Sequence, residues 1–79
     1  MNNLDIVNKA GMKDYYMLVV YFSNNDTDNY IFKTKKSAIE SYQSIIREGF
    51  EVDTYRTRSE LENPYLISDD QWEYISFMS

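Results

Sequence analysis

A chain of 79 residues, 43% of them apolar and including eight Tyr, four Phe and one Trp, makes one small domain with one core. It contains no Cys and no His, which excludes disulfides and thiolate metal sites and removes the commonest general base and the commonest metal ligand. The net charge is −5, and phosphate binding calls for a basic surface, so the balance argues against direct nucleic-acid binding and towards a cationic partner.

Residues 2–11, NNLDIVNKAG, have the pattern of a short helix with Leu4, Val7 and Ala10 on one side and Gly11 at its end, or of a flexible arm ahead of Met12. Tyr15 to Phe22, YYMLVVYF, is a strand with two apolar faces. Tyr16, Leu18, Val20 and Phe22 form one face, and Tyr15, Met17, Val19 and Tyr21 form the other. Such a strand is either covered on both sides or leaves an aromatic face open. SNNDTDN then carries the chemistry of a tight turn, and Tyr30 to Lys33 returns as the second arm of a hairpin.

Thr34 to Phe50 has the clearest boundaries in the chain. Thr34 is an N-cap, while Ala38, Ile39, Tyr42, Ile45 and Ile46 recur at helical spacing. Gly49 supplies a left-handed stop, from which Phe50 is expected to fold back onto Ile45 or Ile46. Glu40, Gln43, Arg47 and Glu48 form a mixed-charge outer face. Phe50 to Thr57 predicts a third strand packing through Val52 and Tyr55. A loop then contains the only proline, Pro64, with a helical turn expected through Ser59, Glu60 and Leu61. In the final segment Ser68 and Gln71 have the spacing of a capping box, so a turn over Asp69–Gln71 is expected to run into a strand from Trp72 to Phe77. The fold class is therefore α+β, β-β-α-β plus a C-terminal element, with a three- to four-stranded mostly antiparallel sheet and one helix across one face.

The search for chemistry is largely a search by exclusion. Two glycines, Gly11 and Gly49, leave no phosphate-cradling loop. Asn24, Asp26 and Asp28 alternate as calcium ligands would. The glycine and the closing glutamate of such a loop are missing, however, and a polar hairpin tip accounts for the three. Asp69 and Asp70 suit a helix start. Neither a catalytic constellation, a metal site nor a cofactor is expected.

Charge is unevenly distributed. Residues 1–50 carry six acids and six bases, whereas residues 51–79 carry seven acids, Glu51, Asp53, Glu60, Glu62, Asp69, Asp70 and Glu73, against Arg56 and Arg58. All the excess negative charge follows the helix. It either keeps the protein soluble or faces a basic partner. Lys33, Lys35 and Lys36, beside Tyr30 and Phe32, offer the contrary reading, a small single-strand nucleic-acid surface.

A very short chain rich in Tyr, Asn, Asp and Lys, with a hairpin, one helix of the form FKTKKSAIESYQSIIREGF and an acidic end, resembles the small accessory proteins of phages and prophages of Gram-positive bacteria. That resemblance implies a non-enzymatic protein-binding inhibitor of a host defence or nucleic-acid-handling protein. Anti-CRISPR proteins and acidic mimics of nucleic acid are of this kind. The expected contacts are Glu51, Asp53, Glu60, Glu62, Asp69, Asp70 and Glu73 with Tyr15 and Tyr21, set against a basic host surface. A homo-oligomerising module that pairs its aromatic strand face with a second copy is the alternative. The chain has no apolar run of membrane-spanning length, and Asn2, Asn3 and Asp5 lack the basic-then-apolar order of a signal peptide, so the expected location is the cytoplasm.

Overall fold

The computed structural model describes residues 11–77; the helix or arm expected over residues 1–11 lies almost wholly outside them. Four strands, β1 (Lys13–Tyr21), β2 (Thr27–Phe32), β3 (Glu51–Ser59) and β4 (Glu73–Ile75), form one antiparallel sheet in the order β2-β1-β3-β4. Among the described residues, the helix α1 (Lys35–Arg47) lies between β2 and β3 in the chain and packs on β1, β2 and β3. This is a small α+β domain with the helix on one face of an open sheet. β1 lies inside the sheet between β2 and β3, with α1 on one of its two apolar faces.

Local chemistry sets the boundaries of these elements. Ser23–Asn25 closes the β1–β2 hairpin. The Phe22 N–H donates to the Asp26 carbonyl at 2.9 Å and the Asn25 N–H to the Phe22 carbonyl at 3.2 Å, and Asn25 takes a positive φ of 68°. The turn thus ends on a left-handed residue, a conformation asparagine tolerates better than most. Asn24 and Asp26 hydrogen-bond each other across the turn rather than facing a cation. The Thr34 hydroxyl caps α1 by accepting the Ser37 N–H at 3.2 Å. Gly49 ends it at φ 98°, its N–H donating to the Ile46 carbonyl at 3.0 Å. Phe50 does not fold back to staple this end alone: its ring meets Phe22 edge-on at 5.1 Å, tying the helix exit to the hairpin.

Two expectations are corrected after β3. The strand continues through Ser59, so no helical turn forms over Ser59–Leu61. A 3₁₀ turn lies instead at Pro64–Leu66, where Pro64 needs no N–H and Asn63 Oδ1 accepts the Tyr65 N–H at 3.1 Å. A second 3₁₀ turn covers Asp69–Gln71 and leads into β4 as expected, but Ser68 caps it with no side-chain hydrogen bond.

The core lies between the sheet and α1. Leu18 and Val20 are almost wholly buried under Ala38 and Tyr42. The Tyr42 ring meets Phe77 edge-on at 5.6 Å, closing the C-terminal side of this layer. Thr54, opposite Leu18 in the register, is a buried polar residue of the core, and its hydroxyl donates to the Ile75 carbonyl. Among the described residues no buried side-chain polar atom lacks a partner.

Candidate interaction surface on the helix-free face

Strand register fixes which residues share the face that α1 leaves open. Directly paired residues point to the same side, so Met17 joins Ile31 and Tyr55, Val19 joins Asn29 and Asp53, and Tyr21 joins Thr27 and Glu51. β4 adds Tyr74 opposite Tyr55; the two rings meet edge-on at 5.7 Å. Tyr74 is 63% exposed and Tyr21 38%, while Met17, Val19, Ile31 and Tyr55 are half-buried. The result is an aromatic and aliphatic strip along the middle of the face, with a tyrosine exposed on each of two strands.

Among the described residues, the chain from Glu60 to Trp72 covers one end of this face. The Tyr15 hydroxyl donates to the Leu61 carbonyl at 2.6 Å, and the Thr57 hydroxyl to the Gln71 carbonyl at 2.8 Å. Ile67 is buried beneath the same segment, while Tyr65 and Leu66 beside it are 64% and 71% exposed. Tyr15 is therefore a core residue, with none of its surface exposed. Its expected role as a partner contact is corrected, because the loop that covers it also takes its only polar atom.

The acidic residues separate into groups. Glu51 and Asp53 lie on the helix-free face beside Tyr21, and Asp69 and Asp70 belong to the segment anchored at Thr57 towards the other end. Glu60 and Glu62 sit on the covering loop, where Glu62 pairs with Lys13 at 3.1 Å. Glu73 faces Arg56 across β3 and β4 on the helix side, away from the others. Of the expected contacts, Glu51, Asp53 and Tyr21 are brought together, Asp69 and Asp70 lie on the segment anchored towards the other end, and Glu73 is not part of the group.

One of these carboxylates is tied to the aromatic strip. The Tyr21 hydroxyl donates to Asp53 Oδ2 at 2.7 Å. This bond, with smaller contributions from desolvation and from the negative charge of Asp53, pushes the Tyr21 phenol up to about 12. The bond holds the Tyr21 hydroxyl at the Asp53 carboxylate. The same pattern recurs at Asp28, whose carboxylate accepts from the Tyr30 hydroxyl at 3.0 Å and raises that phenol. On the helix side, Arg58 pairs with Asp14 at 2.8 Å, a bond that raises the guanidinium further.

Lys33, Lys35 and Lys36 are exposed at the β2–α1 junction, but Tyr30 and Phe32 turn to the helix side, where Phe32 is half-buried beneath α1. The lysines and these rings do not form one stacking platform. Among the described residues no cluster of three acidic side chains is placed to hold a metal ion. No helix among them is long and apolar enough to cross a membrane. Sequence reading named Met17, Val19 and Tyr21 as one strand face but did not find Tyr74, Tyr65 or Leu66. Tyr74 had a detectable signal in the alternation of Trp72, Tyr74 and Ser76 along the last strand.

No protein-family model, curated protein or solved structure matches the chain.

Proposed function

We propose that the protein is a non-enzymatic protein-binding module whose helix-free sheet face docks on a basic surface of a partner. The observation that supports this most is the strip formed by exposed Tyr21 and Tyr74 with half-buried Tyr55 beside Tyr74, bordered at the Tyr21 end by Glu51 and Asp53, with Asp69 and Asp70 on the segment towards the other end. Tyrosine gives large contact area at low entropic cost, and the flanking carboxylates steer a cationic surface into register. In the cytoplasmic, anti-defence setting that the resemblance implies, the partner is a host defence or nucleic-acid-handling protein, and binding inhibits it by occupying the groove its nucleic acid uses.

The test is comparative affinity capture from host extract. Wild type is run beside Tyr74→Ala, Glu51→Lys and the double reversal Asp69→Lys/Asp70→Lys, each first shown by circular dichroism to retain its fold. A protein held by wild type, lost with each face variant and released by rising salt supports the reading. Capture unaffected by all three variants contradicts it.

A further inference from the structure

We propose that β2 is a dimerisation edge, joining a second copy of the chain antiparallel to itself to make one continuous eight-stranded sheet. The proposal concerns the edge of the sheet and does not depend on what the helix-free face binds. β2 is an outer strand, paired only with β1. The Phe22–Asp26 bond sets the alternation along the hairpin: Asp28, Tyr30 and Phe32 turn their N–H and C=O groups towards β1, and Thr27, Asn29 and Ile31 turn theirs outward. Six residues long, this edge has no proline and no bulge within it, and no strand among the described residues pairs with its outer side, so it lacks the usual protections of a free edge there. The other edge, β4, is half its length.

The occupant follows from the pattern of the strand itself. The run Asp28-Asn-Tyr-Ile-Phe-Lys33 is acidic at its start, apolar within and basic at its end. Laid antiparallel on a copy of itself, it is complementary, acid end to base end. A twofold axis through Ile31 places Ile31 against its copy, Tyr30 against Phe32 and Asn29 against Lys33. It brings Asp28 opposite Thr34, at the start of the neighbouring α1, whose first turn carries Lys35 and Lys36. A carboxylate is favoured there by the lysines and by the helix N-terminus. Shifting the axis to Tyr30 would instead set Asp28 against Phe32, desolvating the charge on an aromatic ring.

The adjoining surface is incomplete in the same place. A groove of about 390 Å³ opens between α1 and β2, lined by Phe22, Tyr30, Phe32, Ile45 and Phe50 with Glu48 among them. Tyr30 is 39% exposed there. In the paired sheet the Tyr30 and Phe32 rings of each copy close the open side of the other's groove. The axis stands perpendicular to the sheet, so both helices share one side and both helix-free faces the other, as an isologous dimer requires.

Sedimentation equilibrium of the full chain over about 1 μM to 1 mM tests this. Wild type is expected to show a monomer–dimer equilibrium. Asn29→Pro removes only an outward-facing N–H, a change an edge strand accepts, and should weaken the dimer at least about tenfold while the monomer keeps its circular dichroism. Ile31→Lys places two ammonium groups at the axis and should weaken it similarly, with recovery in high salt. Wild type that stays monomeric throughout overturns the proposal. So does a dimer that persists in Ile31→Lys, or one that dissociates on Tyr74→Ala instead.

Discussion

The two faces of the sheet are built from the same strands, yet they differ in what covers them. On the helix side, Leu18 and Val20 from β1 are sealed beneath Ala38 and Tyr42, and the layer is closed at its ends by the Phe22–Phe50 and Tyr42–Phe77 ring pairs. On the other side the neighbouring residues of the same strand range from Tyr15, fully covered by the loop, through half-buried Met17 and Val19 to exposed Tyr21. Among the described residues, one helix of 13 residues covers one face of the four-stranded sheet. The lesson is that stability and recognition are divided by strand parity: one set of alternate residues holds the fold, and the other, beyond Tyr15, remains available for contact.

Substitutions can break this division, and the largest effect is expected on the covered side. Leu18→Ala should lower unfolding free energy by about 3 kcal/mol in chemical denaturation, since the cavity it leaves lies between helix and sheet. For a domain of this size that is a large part of the total. A loss under about 1 kcal/mol would show that α1 does not seal this layer. Tyr15→Phe should cost about 1 to 2 kcal/mol, because it leaves the Leu61 carbonyl without its donor beneath the loop. That loss, on the nominally open face, marks where the face stops being open.

Thr34→Ala should cost about 1 kcal/mol by uncapping α1, with no effect on tyrosine titration. Tyr74→Ala should cost less than about 1 kcal/mol despite removing a whole ring, because the ring is mostly in water already. The smallest stability effect belongs to the Tyr21–Asp53 bond. It should nonetheless be visible in ultraviolet titration: Tyr21 ionises near pH 12 against an ordinary 10.0, and Asp53→Asn returns it towards the ordinary value. The folded-state value is the higher one, so the contribution of this bond is present below about pH 10 and is lost as pH rises through about 12.

Elements governed by local chemistry were legible in the sequence. Thr34 and Gly49 marked α1 because capping and left-handed backbone are properties of single residues, and Asn25 marked the hairpin in the same way. The turn at Asp69–Gln71 leading into a strand was legible too. The alternation in β1 revealed two apolar faces but could not rank them, since parity says which residues go together and not what lies over them. The fate of Tyr15 depended on a loop with no periodicity of its own, whose position is set by hydrogen bonds to Leu61 and Gln71 from residues far back in the chain. The assembly of Tyr21, Asp53 and Tyr74 likewise depended on register across three strands. That same register sent Glu73 to the helix side, which the run of acids along the sequence could not reveal.

The central claim, that the helix-free face recognises a partner, is tested most directly by a matched pair of variants. Tyr74→Ala on the open face and Gln43→Ala on the outer side of α1 each remove an exposed side chain at little cost to the fold. In affinity capture from host extract at low salt, the account predicts that Gln43→Ala retains the bound protein and Tyr74→Ala loses it. Retention by Tyr74→Ala together with loss on Gln43→Ala would contradict the account and move recognition to the helix.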